Sequence, residues 1–331
     1  MRTRGILAGL TAVLLSVVPA AVPAAQAADN PWLARRVMNM AHSGGENEAP
    51  MNTMYAFKRA VAIGADMIEL DVQSTADEQL VVIHNASVDE TTNGTGRIVD
   101  MTLDQVRELD AAYWFVPGQS ATHGLPDSAY PLRGVRTGER RPPAGYKRTD
   151  FAIPTLREVL RQFPDVPINI EIKGTSDTDY ASFQRTGRLL SKLLNKSGRT
   201  DVIVASFNDA ALVTFHAQSP QIGLSPGMNG LIAYFLLGIK PMPGTVALQV
   251  PVKYAGIPVV TSDFVARAHR DGYAVHVWFS GSAPDDEATY NAMIDTCADG
   301  LMPAFPTLLE RILDERGIER PDQPGVHPCA G

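Results

Sequence analysis

The feature that most constrains this chain is a repeated alternation of short apolar runs with stretches of helical period. Residues 37–41 read as a strand, and residues 53–63 as a helix with Met54, Phe57 and Val61 on one face. Asn52 or Thr53 can cap that helix, and Gly64 can end it. Residues 67–72 and 80–83 are further strands. Strand and helix then alternate through 166–172 and 180–194, then 202–205 and 210–218. Apolar runs near 222–224, 246–250, 259–260 and 274–278 suggest more strands, and helices fit 264–270, 285–296 and 307–315. Such alternation predicts an α/β protein with a parallel sheet. About eight units favour a closed (β/α)8 TIM barrel over an open doubly wound sheet. The chain has no phosphate loop and no dinucleotide glycine fingerprint after a strand, which weakens a nucleotide-binding reading.

Two segments break the rhythm. Residues 113–150 form an insertion; from Trp114 to Asp150 it holds five prolines, five glycines and a basic patch. A stretch of that length is more often a functional excursion than a connector, and it is expected to be a lid beside the active site. Residues 316–331 are a Pro-rich C-terminal tail. At the other end, Arg2 and Arg4 precede an uncharged apolar run over 6–22, and Ala25-Gln26-Ala27 offers small residues where a signal peptidase reads. Residues 1–27 therefore read as a signal peptide cleaved after Ala27, giving a secreted protein. The later run from Ile222 to Ile239 is too broken by Pro226 and four glycines to span a membrane. In an oxidising compartment Cys297 and Cys329, the only two cysteines, could pair and pin the tail to the last helical region. An excess of 36 acidic over 29 basic side chains argues against a nucleic-acid partner but not against a divalent cation.

Barrel catalysis sits at the C-terminal ends of the strands. There the chain offers His42, Glu69 with Asp71, His84, and Glu171 with Lys173. Glu69 and Asp71 are two apart on one strand, so both point to the same face while Leu70 points away. Two inward carboxylates repel each other unless a cation lies between them. Glu171 and Lys173 repeat the spacing, with Asn169 on the same face. Three carboxylates would make a hard, all-oxygen site suited to Ca²⁺ or Mg²⁺ rather than zinc, with Lys173 beside it as an anion-binding group. Two histidines flanking such a pocket suggest general acid–base chemistry on a phosphoester. Glu46 and Glu48, in the loop after the first strand, read as solvated.

The motifs resemble the glycerophosphodiester phosphodiesterase family. His42-Ser43-Gly44-Gly45 stands where the family has H-R-G, and Met51-Asn52-Thr53 where it has E-N-T. Glu69-Leu70-Asp71 matches E-L-D, and Val82-Ile83-His84-Asn85 with Thr92-Asn93-Gly94-Thr95-Gly96 matches V-x-H-D and T-x-N-G-T-G. Pro154 to Val159 and Asn169 to Lys173 match P-T-L-x-E-V and N-I-E-I-K; Ser206-Phe207 and Trp278 fit as well. The resemblance runs from about residue 37 to about residue 313, densest in the first half. It implies a barrel holding a metal on Glu69, Asp71 and Glu171, an acid–base pair His42 and His84, Lys173 on the phosphate and Trp278 at the substrate. It also implies attack by the glycerol's own hydroxyl and a cyclic phosphate that water opens. The block 154–173 is similar to the lysophospholipase D-type branch, which brings choline or ethanolamine lysolipids in as substrates and allows peripheral membrane contact. Three positions depart from the pattern: Ser43 replaces an arginine, Met51 a glutamate, and Met302-Pro303 a T-D pair. Loss of an arginine and a glutamate together leaves neither charge stranded. Two other readings are a sphingomyelinase D-like phospholipase and a phosphodiester-binding protein without turnover. The sequence leaves the oligomeric state open.

Overall fold

The structure, a computed structural model, describes residues 30–33, 37–319, 326 and 329. The predicted signal peptide, 1–27, lies outside the described residues. Eight strands are parallel to one another: β1 (Met38–Ala41), β2 (Met67–Ser74), β3 (Ile168–Ile172), β4 (Val202–Ala205), β5 (Gly223–Leu224), β6 (Ala247–Pro251), β7 (Ala274–Trp278) and β8 (Gly300–Met302). They hydrogen-bond in the order β5-β4-β3-β2-β1-β8-β7-β6. The ring closes between β5 and β6 through a parallel bridge, with Leu224 N donating to Gly244 O and Val246 N to Leu224 O, each at 2.9 Å. Each strand is followed by one main helix: α1 (Met54–Ala62), α2 (Leu156–Gln162), α3 (Tyr180–Ser197), α4 (Asp209–His216), α5 (Met228–Leu237), α6 (Ser262–Arg270), α7 (Glu287–Asp295) and α8 (Pro306–Glu315). This is the predicted (β/α)8 TIM barrel.

Local chemistry sets the helix starts. Thr53, Thr155, Asn208, Thr261 and Asp286 each accept a hydrogen bond from the backbone N–H three residues on, which satisfies an otherwise orphaned donor. Thr155 and Glu158 complete a reciprocal capping box. α3 stops at Gly198, whose left-handed backbone closes the last turn. Methionines 38, 40, 67 and 302 fill the barrel interior with Ile203, Ala247 and Ala274. Trp32 packs on this cluster, and Asn30 Nδ2 donates to Val246 O and Gly272 O. These contacts close the N-terminal end of the barrel, so the chemistry belongs at the other end. Outside the barrel, one apolar cluster lies under α1–α4 and a second under α5–α8.

The structure differs from the sequence expectations in three places. Residues 80–83 are no barrel strand: Leu80–Val82 pairs antiparallel with the end of β2, Val82 facing Val72. The run 259–260 holds no strand; a two-residue hairpin, Lys253–Tyr254 with Ile257–Pro258, precedes it. β8 and α5 leave no periodic signature in the sequence. β8 is three residues with a glycine, and α5 is apolar around its whole circumference, so it lacks the period that marks a surface helix. Insertion 113–150 lines none of the central cavity but lies against the turn after β1, where Gly118 N donates to Asn47 O at 2.7 Å. Its aromatic residues pack elsewhere: Tyr146, with Phe151 just beyond the insertion, lies on Tyr55 of α1, and the Arg133 guanidinium sits over Tyr113, Trp114 and Tyr130.

Cys297, two residues past α7, is bonded to Cys329. The bond closes a segment with a sequence separation of 32 and ties the tail to the end of α7. A loop of this size is worth about 3–4 kcal/mol in the chain-entropy account. Replacing both cysteines with serine is expected to lower the midpoint of thermal unfolding by roughly 5–15 °C, followed by circular dichroism. An unchanged midpoint would show that the tail adds nothing to the barrel's stability.

Candidate active site

β2 and β3 lie side by side with Glu69 facing Asn169 and Asp71 facing Glu171. That register puts all four side chains on the inner face. One carboxylate oxygen from each of Glu69, Asp71 and Glu171 lies within 4.8 Å of the others. Leu70 points outward into the apolar cluster under α1–α4. Glu69 and Asp71 are both buried. Burial, and then the adjacent Asp71 charge, push the Glu69 carboxyl up. Burial would raise Asp71 too, but Lys173, His84 and a hydrogen bond from Asn52 outweigh it and hold Asp71 below the usual range. Lys173, just past β3, places Nζ 2.8 Å from Glu171 Oε1 and 3.2 Å from Asp71 Oδ1. Burial alone would lower the Lys173 pKa; the carboxylates more than offset that and raise it. Three converging oxygen donors with one carboxyl destabilised as an anion fit a hard divalent cation. When bound, such an ion neutralises the paired carboxylates and polarises a phosphoryl oxygen.

The turn after β1 supports this cluster from above. Ser43 adopts a left-handed backbone, φ 47°, followed by Gly44 and Gly45 at φ 83° and 89°. At Gly44 a Cβ would sit 2.7 Å from the Ala56 Cβ of α1, so the turn requires glycine there. The Ser43 N–H donates to Glu69 Oε2 at 2.8 Å, and Asn52 Nδ2 donates to Asp71 Oδ2 at 2.9 Å. Thr53, not Asn52, caps α1. Asn52 instead binds a carboxylate, a role its place beside Thr53 does not signal.

His42 begins the turn, and its Nδ1 lies 2.6 Å from Glu46 Oε1. Burial works to lower the His42 pKa, but Glu46, then Glu69 and Asp71, hold it well above its ordinary value. Glu46 is therefore buried and engaged, not solvated as expected. Glu48 is engaged as well: it pairs with Arg59 and accepts from Thr307 N at 3.0 Å, in the first turn of α8. The loop is folded between α1 and α8, which the pattern of isolated charges does not reveal.

His84 follows the strand Leu80–Val82, and Ile83 N donates to Asp71 O at 3.0 Å, which fixes the approach to the cluster. The His84 Nδ1 lies 2.6 Å from the side-chain carbonyl oxygen of Asn85. A carbonyl only accepts, so Nδ1 is the donor in this contact, and in the neutral ring Nε2 is then the acceptor. Lys173 Nζ stands 5.7 Å from the Phe207 ring, whose centroid is 6.0 Å from that of Trp278. A cavity of about 470 Å³ opens here, lined by His42, Glu69, His84, Glu171, Lys173 and Trp278. Asp71 is buried beside it and joined to it through Lys173. All seven predicted residues thus gather at the C-terminal end of the barrel. On the floor, Gln249 Nε2 donates to Asn169 Oδ1 at 2.7 Å; Gln249 carries no signal in the sequence because its partner lies 80 residues away. Met302 lines the cavity where the resemblance calls for a polar pair, and His276 lies inside the barrel without lining it.

Comparison with known proteins agrees with this geometry. Residues 42–306 match the glycerophosphoryl diester phosphodiesterase family. A glycerophosphodiester phosphodiesterase of Caldanaerobacter subterraneus is 35% identical over 284 residues, covering 85% of this chain and 100% of that protein. One from Bacillus subtilis is 33% identical, covering 84% of this chain and 86% of that one. In fold the chain is similar to an Oleispira antarctica phosphodiesterase in complex with the product sn-glycerol-3-phosphate, with a TM-score of 0.62 at 21% identity over 84% of this chain and 97% of that one. With the family matched across most of the barrel, the chain belongs to the glycerophosphoryl diester phosphodiesterase family and is a phosphoric diester hydrolase.

Proposed function

We propose that this protein is a secreted glycerophosphodiester phosphodiesterase that uses Ca²⁺ or Mg²⁺ and hydrolyses glycerophosphodiesters or lysophospholipids. The observation that carries the reading is the convergence of Glu69, Asp71 and Glu171 on one point beside a cavity lined by His42, His84 and Lys173. Glu69, Asp71 and Glu171 would hold the cation, and Lys173 would meet the phosphate as a point charge. The names and ligands of the relatives support a glycerol-bearing substrate. Export rests on the sequence of residues 1–27, and the Cys297–Cys329 bond suits an oxidising compartment.

The hydrogen bonds support a division of labour between the imidazoles. In a neutral His84, Nδ1 donating to Asn85 presents Nε2 as the acceptor, which suits it as the base that takes the proton from the attacking hydroxyl. His42, held to the Glu46 carboxylate, favours the imidazolium and serves as the acid that protonates the leaving alkoxide. The net reaction consumes one water and gives a phosphomonoester and an alcohol. Lys173 keeps the phosphate oriented, and the rings of Phe207 and Trp278 border it.

Purified protein should release a phosphomonoester from glycerophosphocholine, lose turnover with EDTA, and regain it with Ca²⁺ or Mg²⁺. Product identification by mass spectrometry checks which side of phosphorus is cut. His42→Ala and His84→Ala should each lower kcat on the order of 10²–10⁴-fold on that substrate. With a p-nitrophenol leaving group, which needs no proton, the H42A loss should shrink while the H84A loss persists. Equal losses on both substrates would reject this division of roles.

A second outcome follows from the Glu46 contact. Glu46→Gln should lower kcat by on the order of 10–100-fold with little change in KM, since it disturbs how the imidazole is held and not how the diester binds. Full activity in E46Q, measured across pH, would show that Glu46 only fills space.

A further inference from the structure

The base role of His84 depends on how a neighbouring amide is turned. The Asn85 side chain is two-ended: its oxygen accepts and its nitrogen donates. With the oxygen toward His84 Nδ1, the ring donates there and the neutral imidazole keeps Nε2 as the acceptor. Turned the other way, the amide would donate to Nδ1 and the proton of the neutral ring would lie on Nε2. That nitrogen could then take no proton from a hydroxyl. The two ends of an amide are alike in size and shape, so hydrogen-bond partners, not packing, choose between them.

The partner that chooses here is Glu90. Asn85 Nδ2 donates to Glu90 Oε2. A carboxylate accepts and does not donate, so it takes the nitrogen end of the amide and sends the oxygen to His84. The loop carrying Glu90 is held in place. Val88 N donates to Gly96 O at 3.0 Å, Gly96 N to Asp89 Oδ1 at 2.7 Å, and Thr92 Oγ1 to Val88 O at 2.8 Å. The insertion reaches it from the other side: His123 Nε2 donates to Glu90 O at 2.8 Å, and the His123 ring stacks on Trp114 with centroids 4.0 Å apart. Glu90 is exposed and does not line the cavity, so it touches the reaction only through Asn85.

Resting on the function proposed above, we infer that Glu90 is a positioning residue, which through the Asn85 amide selects the His84 tautomer whose Nε2 can act as the base. In the step it serves, one proton moves from the attacking hydroxyl to Nε2, and no proton moves along the relay. The imidazolium so formed still donates from Nδ1 to the same amide oxygen, and the carboxylate behind the amide polarises it in the sense that favours the new charge.

The test changes the polarity of the relay in the intact protein and reads both turnover of glycerophosphocholine and the nitrogen NMR shifts of the neutral His84 ring. In Glu90→Gln the new amide accepts either end of Asn85, so about half the rings hold the wrong tautomer and kcat should fall about twofold. In Glu90→Lys the new group only donates, which turns the Asn85 oxygen away from His84; kcat should fall about tenfold or more with KM changed less than about threefold. Adding Asn85→Asp to E90K gives a carboxylate that accepts from both neighbours, and kcat should return to within about threefold of the unaltered protein. The NMR shifts should show the proton on Nδ1 in the unaltered protein, on Nε2 in E90K, and on Nδ1 again in N85D/E90K. Added positive charge acting at a distance would instead tighten binding of the phosphodiester without lowering kcat. Unaltered kcat and unmoved ring nitrogens in E90K would overturn the relay and leave the proposed activity standing. Equal losses in E90K and N85D/E90K would also overturn it. Ring nitrogens that follow the residue at position 90, in a protein that hydrolyses no diester, would support the control of the tautomer and overturn the activity.

Discussion

Two carboxylates buried side by side set the terms for everything around them. Glu69 and Asp71 share one face of β2 because a strand repeats every two residues, and the parallel register with β3 brings Glu171 opposite Asp71. Removing one carboxylate from water costs several kcal/mol, and its neighbour's charge adds to that. The protein answers with donors: the Ser43 and Asn52 contacts on two oxygens, and Lys173 between Asp71 and Glu171. One positive charge does not balance three negative ones. The remaining deficit is what a divalent cation removes, and it is why a hard oxygen cluster suits this place in the barrel.

The departures from the family pattern become intelligible against that balance. An arginine at position 43 and a glutamate at position 51 would have added one charge of each sign to the turn. Here Ser43 is small and buried, and it serves the cluster through its backbone N–H and, at 3.3 Å, its hydroxyl. Asn52 spans the space, bonding to both Ser43 and Asp71. The net charge of the turn is unchanged by the double loss, so no buried ion is left without its partner. What changes is the anion-binding equipment. A planar, bidentate guanidinium is absent, and Lys173 stands among the carboxylates as a point charge, which tolerates more orientations of a bound anion than a fork does.

Much of this architecture is legible in the order of the amino acids. The alternation of runs encodes the barrel, and the spacings Glu69–Asp71 and Glu171–Lys173 encode the inward face, because both rest on short-range periodicity. The elements that escape are those without a period. β8 has three residues, one of them Gly300, whose missing side chain leaves room for Met40 and His276. α5 shows no polar face to betray a helix, since its two sides are the core and the cavity. Glu46 and Asn52 escape for a different reason: each acts on a group brought near by the fold of the turn, His42 and Asp71, and sequence distance carries no sign of that. Insertion 113–150 has the composition of a lid, and its aromatic and arginine residues are held by one another and by α1, contacts between residues far apart in sequence that composition does not specify.

The two halves of the barrel therefore carry different burdens. The β1–β3 half supplies the charged side chains that line the cavity among the described residues and is braced by hydrogen bonds between turn, strand and hairpin. The opposite half presents hydrocarbon from α5 and the hairpin after β6. Such a division follows from barrel architecture, in which each strand end feeds its own loop and neighbouring loops can differ without disturbing the strands. It also follows from electrostatics. Low-dielectric walls raise the cost of holding three carboxylates together, and so strengthen the pull of the cluster on a cation, while an apolar opposite side adds no charge of its own.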